Sequence, residues 1–223
     1  MEGLPERLGV KYFRKLEGLY LVVAPILPFD KLLVPVEKAL SGGVDIVQFV
    51  PGEEGLETLG FAERLSDLVQ QHNVPFLING NLLLAEEIGA EGMHLDGYDV
   101  KPKKVRQVLG KRCIVGYTLG NDLKRLTWAE TMEADYVSFC SIFPTSSATQ
   151  CNMVPIETLK AAKSATKLPI FAAGGITPRN AHLVLETGAD GIAVTSAILK
   201  TKDPKQAARS FKEVIRRYRS SAS

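Results

Sequence analysis

The sequence predicts a single α/β domain of the (βα)8, or TIM-barrel, class, and three observations support this. Eight short apolar runs alternate with longer amphipathic segments along the chain. The length of 223 residues suits one such barrel, which commonly occupies roughly 200 to 250 residues. A short motif of small residues and an acid also recurs before every second apolar run. We expect one domain over 1–223, in which 1–17 form a charged extension.

The predicted strands are short runs rich in Val, Ile, Leu and aromatic residues. They are 19–24, 45–50, 75–79, 92–95, 113–118, 135–139, 168–173 and 191–195. The segments between them have helical spacing. "LETLGFAERLSDLVQQH" repeats its apolar residues at that spacing, and "PKQAARSFKEVIRRY" follows Asp-Pro, as a helix start commonly does.

The recurring motif lies before predicted strands 2, 4, 6 and 8. It reads "GGVDIV", "IGAEGM", "MEADYV" and "TGADGI", with the acids Asp45, Glu91, Asp135 and Asp190. The chain enters a barrel from below at these points, and the glycines suit helix C-caps. We therefore expect these acids to shape turns and to have no catalytic role.

Composition excludes several classes of function. A formal net charge of +2, with one modest basic cluster in "FKEVIRRYRS", does not predict a nucleic-acid partner. The first residues are charged and no window approaches 18 uninterrupted apolar residues, which predicts neither export nor membrane insertion. The three cysteines match neither a zinc site nor a disulfide framework, which favours the reducing cytoplasm. A homo-oligomer is left open.

Two turns are predicted to lie side by side at the ligand-binding face. "AAGGITP" leaves strand 7 and "VTSAI" leaves strand 8, and the loops after these strands often hold a phosphate in this fold. Gly174 and Gly175 allow close approach of the backbone to an anion, and Thr195 and Ser196 open a short helix with amides and hydroxyls. We therefore expect a phosphate site. The alternative is that "AAGGITP" is only a tight turn before an ordinary helix start at its Thr-Pro.

Several motifs, in order, resemble the thiamin phosphate synthase and TenI superfamily. The resemblance covers nearly the whole chain, from "LYLVVA" to "DPKQAA". Its most specific segments are "GGVDIVQ", "VPFLIN", "GAEGMHLDGYD", "ADYVSFCSIFPT", "PIFAAGGITPRNA" and "GADGIAVTSAIL".

The resemblance implies a role in thiamin biosynthesis. The family's synthase is a transferase that joins a hydroxymethylpyrimidine diphosphate to a thiazole phosphate and releases diphosphate with the help of Mg²⁺. It implies that the phosphate is bound by Gly174, Gly175, Thr195 and Ser196, that the rest of the substrates are bound by Gln48, Asn79 and Thr145, and that Asp99 is a metal ligand.

The chain departs from the family pattern where the diphosphate would be bound. Where the family has Q-x-R-x-K this chain has "QFVPG", so Val50 and Gly52 replace an arginine and a lysine. The family's N-D-R is "NGN", which places Gly80 and Asn81 at an aspartate and an arginine. The family's P-T-x-T-K is "PTSSA", with Ala148 at a lysine. Because a leaving diphosphate is stabilised mainly by cations and metal, we expect the synthase reaction to be impaired.

The family's tautomerase branch uses a histidine at the position of Ser141, and serine cannot shuttle protons near neutral pH as imidazole does. His94 is interpreted as a barrel residue and Cys140 as a buried structural thiol. The remaining catalytic candidates are Asp96 and Asp99, an acid/base or metal pair in the loop after strand 4.

Two hypotheses follow. The first is a diverged family member, related to thiamin metabolism or acting on another substrate, that binds a small phosphorylated molecule. The second is a non-catalytic binding or partner protein on a degenerate synthase barrel that has kept the phosphate site.

Overall fold

The computed structural model describes residues 15–52, 55–145 and 152–221, which form a closed barrel of eight parallel strands. The strands are β1 (Gly18–Val23), β2 (Ile46–Phe49), β3 (Phe76–Asn79), β4 (Gly92–Leu95), β5 (Ile114–Thr118), β6 (Tyr136–Phe139), β7 (Ile170–Ala173) and β8 (Gly191–Val194). All eight predicted strands are confirmed, with ends within two residues of the prediction.

Helices surround the strands on the outside. They are α1 (Leu33–Leu40), α2 (Leu56–Gln71), α3 (Leu82–Glu87), α4 (Pro102–Leu109), α5 (Lys124–Thr131), α6 (Ile156–Ala165), α7 (Ala181–Leu185), α8 (Ser196–Leu199) and α9 (Pro204–Ser221), and a 3₁₀ turn (Phe29–Lys31) precedes α1. The predicted start of α9 is confirmed, because Asp203 accepts a hydrogen bond from the Gln206 amide at 3.0 Å.

The barrel closes between its first and last strands. Leu21 of β1 lies opposite Val47 of β2 on one side and Val194 of β8 on the other. Closure pairs every strand on both edges, so no edge is left exposed. It also places the loops after β7, β8, β1 and β2 next to one another at the carboxyl ends of the strands.

Alternation along the strands divides the buried side chains into two layers. Outward-facing residues such as Leu21, Phe49 and Val115 pack with the helices. A smaller layer fills the inside of the barrel: Tyr20, Ile46, Leu77, Ile114, Tyr136, Phe171 and Ala193. The next inward positions along several strands are polar, and they include the buried residues Gln48, His94 and Ser138.

The recurring acids close the opposite end of the barrel, as predicted. Each lies just before an even-numbered strand, and its carboxylate accepts a hydrogen bond from an amide at the start of the preceding odd-numbered strand. The pairs are Asp45 with Leu19 at 2.7 Å, Glu91 with Phe76 at 3.0 Å, Asp135 with Val115 at 2.7 Å and Asp190 with Ile170 at 2.9 Å. These acids therefore join strands and lie away from the ligand-binding face.

No helix in the described ranges is long and apolar enough to cross a membrane. Residues 1–14 of the predicted extension lie outside the described part of the chain, and β1 begins soon after it.

Candidate ligand-binding site at the carboxyl ends of the strands

The two glycines after β7 adopt a conformation that other residues rarely adopt. Gly174 has φ 93° and Gly175 has φ 64°. The Gly174 carbonyl accepts a hydrogen bond from the Phe143 amide at 3.1 Å, and the Gly175 carbonyl accepts one from Asn180 Nδ2 at 3.1 Å. Among the described residues, the amides of Gly175 and Ile176 have no hydrogen-bond acceptor. With its carbonyls engaged, this turn has amides left for an anion.

Lack of space also requires glycine here. A Cβ on Gly174 would lie 2.5 Å from the Ser141 amide nitrogen, and one on Gly175 would lie 2.6 Å from the Pro144 carbonyl oxygen. The loop after β6 therefore packs directly against the turn after β7. Any side chain at either glycine would disturb this contact.

The helix start at Thr177-Pro178, which belonged to the alternative interpretation, is supported in part. The helix α7 begins at Ala181, but the Thr177 carbonyl already accepts hydrogen bonds from the Asn180 amide at 3.2 Å and from the Ala181 amide at 3.0 Å. The Asn180 side chain also joins the two ends of this turn. Its Oδ1 accepts a hydrogen bond from the Thr177 amide at 2.7 Å while its Nδ2 donates to Gly175. A side chain that accepts a hydrogen bond from the amide three residues before it resembles one half of a capping box, which is typical of a helix start.

The second turn lies beside the first, since Ala173 of β7 is opposite Ala193 of β8. Thr195 is the N-cap of α8, and its side chain makes no capping hydrogen bond. Ser196 is the first residue of α8, and both side chains are half-buried. The structure therefore brings the four predicted phosphate residues to adjacent turns, as the sequence indicated.

The predicted residues Gln48, Asn79 and Asp96 form a hydrogen-bonded row across β2, β3 and the loop after β4. Gln48 Nε2 donates to Asn79 Oδ1 at 2.8 Å, and Asn79 Nδ2 donates to Asp96 Oδ2 at 3.0 Å. Gln48 is buried, whereas the Asp96 side chain is 62% exposed. The row therefore runs from the barrel interior to its mouth.

This row continues into a buried network that the sequence interpretation missed. Tyr20 Oη donates to Gln48 Oε1 at 2.8 Å, and Tyr20 and Tyr136 share a hydrogen bond of 2.8 Å between their hydroxyls. His94 Nδ1 lies 2.7 Å from Tyr136 Oη, and His94 Nε2 lies 2.8 Å from Thr118 Oγ1. The signal was present in the sequence as polar residues at inward positions of otherwise apolar strands.

Burial keeps the aromatic members of the network uncharged. Loss of solvation lowers the pKa of His94, against an opposing effect of the Asp96 carboxylate. Burial also raises the pKa of Tyr20 and of Tyr136, well above the ordinary range in both. His94 is hydrogen-bonded on both ring nitrogens, which agrees with its interpretation as a satisfied barrel residue.

The two catalytic candidates after β4 differ in their surroundings. Asp96 accepts from Asn79 and lies 3.7 Å from His94 Nε2. Asp99 is exposed, and no described residue forms a hydrogen bond or ion pair with it. No three His, Cys, Asp or Glu residues in the described ranges are grouped so that they could hold a metal ion. Mg²⁺ prefers several oxygen ligands, so these residues do not fit a protein-built magnesium site, and Mg²⁺ stays an implication of the resemblance.

The positions that differ from the family have ordinary local roles. Val50 is half-buried at the end of β2, and its amide donates to the Val23 carbonyl at 2.9 Å. Asn81 is the N-cap of α3, where its Oδ1 accepts from the Leu84 amide at 2.9 Å. Gly80 has φ 68° and a Cβ on it would meet nothing within 4 Å, while one on Gly52 would lie 3.6 Å from Pro25. Ala148 lies outside the described residues.

The loop after β6 contains a correction and an unexplained hydroxyl. Cys140 is disulfide-bonded, so the expectation of a free structural thiol is wrong, whereas Cys113 is a free, buried thiol. Three cysteines allow one disulfide beside one free thiol, and their spacing alone does not show which of them pair. The cytoplasmic location, which was inferred from free thiols, stays a prediction. Ser141 has φ 56°, and its buried Oγ has no hydrogen-bond partner among the residues that the structure describes. Thr145, a predicted substrate residue, is half-buried in the same loop.

Known proteins resemble this chain over most of its length. Among curated relatives, the thiamine-phosphate synthase of Nitrosococcus oceani is 36% identical over 200 residues, 89% of this chain and 92% of that protein. The thiamine-phosphate synthase of Methanobrevibacter smithii is 35% identical over 191 residues, 84% of this chain and 90% of that protein.

A solved structure, the thiamine phosphate pyrophosphorylase from Pyrococcus furiosus, superimposes with a TM-score of 0.78 at 25% identity, over 90% of this chain and 96% of that one. The family described as thiamine monophosphate synthase matches residues 19–198, which run from the second residue of β1 into α8. Because these similarities extend over the whole barrel, this chain belongs to the thiamine monophosphate synthase family.

Proposed function

We propose that the protein binds a small phosphorylated ligand of the thiazole phosphate type at the turns after β7 and β8, and that the diphosphate-releasing transfer of its family is impaired in it. The observation that carries the proposal is the turn at Gly174 and Gly175, whose carbonyls are engaged and whose amides are available. Donors of this kind are backbone groups, so binding does not depend on the missing cations.

The polar row supports a second part of the ligand site. Gln48 and Asn79 lie on neighbouring strands at the carboxyl end of the barrel, where hydrogen-bonding groups orient a ligand. In this proposal the side-chain amides of Gln48 and Asn79 contact the organic part of a substrate. The hydrogen bond from Asn79 to Asp96 restricts the orientation of both amides.

Impairment would have an electrostatic cause. Positions 50, 52 and 80 offer no charge to a leaving diphosphate, and Asn81 is occupied as a helix cap. Removing one group that stabilises transition-state charge commonly costs about 10²- to 10³-fold in rate. Several absent groups should therefore leave a slow enzyme.

A fully active synthase is the second candidate, and the names of the curated relatives favour it. It requires cations from other positions, such as Lys101, Lys103 or Arg179. Turnover of the two family substrates with Mg²⁺ separates the candidates. We expect a rate far below about 1 s⁻¹, the low end of ordinary enzyme rates. A rate at or above that value would overturn impairment and favour the second candidate.

A second experiment restores the charged residues that the family has at positions 50, 52 and 80 and repeats the turnover assay. The triple substitution Val50→Arg, Gly52→Lys and Gly80→Asp should raise turnover by at least about tenfold. The space around Gly52 and Gly80 allows the new side chains, and Asp tolerates the left-handed conformation at residue 80 better than most residues do. No gain in a folded triple variant would mean that missing charge does not limit the reaction.

Ligand binding is tested by Ser196→Asp, with Ser196→Ala as its control. A carboxylate in the first turn of α8 favours the helix but repels a bound phosphate. Calorimetric titration with thiazole phosphate should show at least about tenfold weaker binding for Ser196→Asp, and a change below about threefold for Ser196→Ala. Equal affinities for the two variants would show that the turns do not bind phosphate. Intact binding without detectable turnover would favour the non-catalytic protein.

A further inference from the structure

The hydrogen-bond network has a direction, which can be inferred from its exposed end at Asp96. An ionised carboxylate only accepts hydrogen bonds, so the Asn79 amide must turn its NH₂ group toward it. Asn79 Oδ1 then faces Gln48, which must turn its own NH₂ group toward Asn79. Gln48 Oε1 is left facing Tyr20, whose hydroxyl must donate.

The chain of hydrogen bonds continues in the same direction across the barrel. A tyrosine hydroxyl has one proton, so Tyr20, having donated to Gln48, must accept from Tyr136. Tyr136, having donated to Tyr20, must accept from His94 Nδ1. His94 therefore carries a proton on Nδ1. Its other nitrogen, Nε2, is bare in the neutral ring and accepts from Thr118.

The surroundings of His94 agree with a neutral ring. It is 5% exposed, and burial lowers its pKa. The titratable groups that face it are Tyr136, which is in contact with Nδ1, and Asp96, whose Oδ1 lies 3.7 Å from Nε2. At that separation Asp96 does not hydrogen-bond to the ring, so it does not compete with Thr118 for Nε2.

We propose that His94 is a positioning residue: held as the neutral Nδ1–H tautomer, it begins a one-directional chain through Tyr136 and Tyr20 that locks the side-chain amide of Gln48. The lock extends through Gln48 to Asn79. Neither amide can flip without breaking the bond at each of its ends, which would cost about 1 kcal/mol or more per bond.

The locked amides define what a ligand must offer, and this consequence rests on the proposed function. Gln48 and Asn79 each use one of two amide protons within the chain, so each has one donor left, while Asp96 offers only acceptors. An edge that pairs ring-nitrogen acceptors with an amino donor matches this set. An oxo group in place of the amino group would place an acceptor against the Asp96 carboxylate, which has no proton to donate, so such a ligand should bind more weakly.

The first experiment measures the tautomer itself and needs no ligand. Nitrogen-15 NMR of the labelled full chain near pH 7.5 should show His94 protonated on Nδ1 and bare on Nε2. Tyr20→Phe removes the acceptor of the Tyr136 hydroxyl, which is then free to donate to Nδ1. The tautomer should therefore shift to Nε2–H, although Tyr20 does not contact His94.

The matched control is Tyr117→Phe, which removes another buried tyrosine hydroxyl. That hydroxyl donates to the Val100 carbonyl outside the barrel, so His94 should keep its tautomer. An Nε2–H tautomer in the unsubstituted protein would overturn the proposal, as would an unchanged tautomer in folded Tyr20→Phe. The measurement on the unsubstituted protein decides the proposal even if Tyr20→Phe does not fold.

The second experiment separates positioning from packing. The amide nitrogen of Asn can take the place of Nδ1, whereas that of Gln takes the place of Nε2. His94→Asn should therefore keep the affinity for an aminopyrimidine alcohol within about threefold, and His94→Gln should lose about tenfold, the equivalent of one hydrogen bond. Preference for the aminopyrimidine over the matching pyrimidinone should also fall only in His94→Gln.

A purely structural His94 would weaken both variants alike, and that result would overturn the positioning role. If the unsubstituted protein binds no pyrimidine, the proposed function fails at this subsite, and the NMR measurement still decides the tautomer.

Discussion

At the scale of single residues, packing inside the barrel requires a glycine at residue 116. A Cβ on Gly116 would lie 2.0 Å from Cζ of Tyr136, so the Tyr136 ring occupies the space above this glycine. The ring also packs edge-on against Phe171 at 5.3 Å between centroids, and it is fully buried. The Tyr136 ring is therefore confined between Gly116 and Phe171.

We predict that Gly116→Ala lowers the free energy of unfolding by roughly 1–3 kcal/mol, the usual cost of overpacking. Urea denaturation measures it. The control is Gly60→Ala in the middle of α2, where a Cβ would meet nothing within 4 Å. That substitution should stabilise by roughly 0.5–1 kcal/mol, because alanine favours a helix over glycine. Equal changes in the two variants would contradict the packing argument.

Buried sulfur at residue 113 provides a second prediction at this scale. Burial raises the pKa of the Cys113 thiol to about 11, and the residue is 6% exposed. Since the thiolate is the reactive form, iodoacetamide near pH 8 should alkylate Cys113 in the folded protein at least about tenfold more slowly than in urea. Mass spectrometry of the modified peptide measures both rates. Equal rates would mean that the thiol is accessible.

At the scale of elements, the entry to each even-numbered strand repeats one geometry. Two residues before each acid the backbone has positive φ: Gly43 at 102°, Gly89 at 60°, Glu133 at 59° and Gly188 at 87°. Glycine, which adopts positive φ easily, occupies three of these four positions. The fourth is Glu133, whose Cβ makes the left-handed conformation unfavourable.

Replacing Glu133 by glycine should therefore stabilise the protein. The strain of a left-handed residue is roughly 1–2 kcal/mol, and part of its relief is offset by the greater freedom of glycine in the unfolded chain. We expect Glu133→Gly to raise the free energy of unfolding by about 1 kcal/mol in urea denaturation. Glu133→Ala removes the same charge but keeps the strain, so it should give no such gain. A similar gain in both variants would assign the effect to charge.

At the scale of the whole molecule, stability should depend on pH through the buried network. Burial lowers the pKa of His94 from its ordinary 6.5. Below that value the unfolded chain binds a proton on this residue more readily than the folded protein does. The lower pKa of His94 in the folded protein therefore contributes to the free energy of unfolding. This contribution is fully present above about pH 6.5 and is lost as the pH falls toward the pKa of the folded state.

Urea denaturation at about pH 5 and about pH 8 tests this pH dependence. The unsubstituted protein should lose more stability between the two values than His94→Asn, which has no group titrating in that range at this position. Equal losses would mean that His94 does not carry the dependence. The variants at residues 60 and 133 keep His94 and do not contact the network, so they should retain the full pH effect.

Local patterns in the sequence determined the barrel and half of the candidate site. Alternating apolar runs and amphipathic segments predicted all eight strands, because side-chain period and strand length are local properties. Gly174, Gly175, Thr195 and Ser196 were also predictable, since turn residues after strands 7 and 8 come together whenever the barrel forms.

Only the tertiary structure decided how the polar side chains are connected. Tyr20 and Tyr136 are 116 residues apart and share a hydrogen bond inside the barrel, and Cys140 is disulfide-bonded although the cysteine spacing indicated no framework. Asp96 and Asp99 are three residues apart, yet only Asp96 joins the network. The physical reason is that a hydrogen bond across a closed barrel requires two polar side-chain atoms to lie within about 3 Å of each other. Strand register and barrel closure set that distance between residues far apart in the chain. No local sequence pattern contains this information.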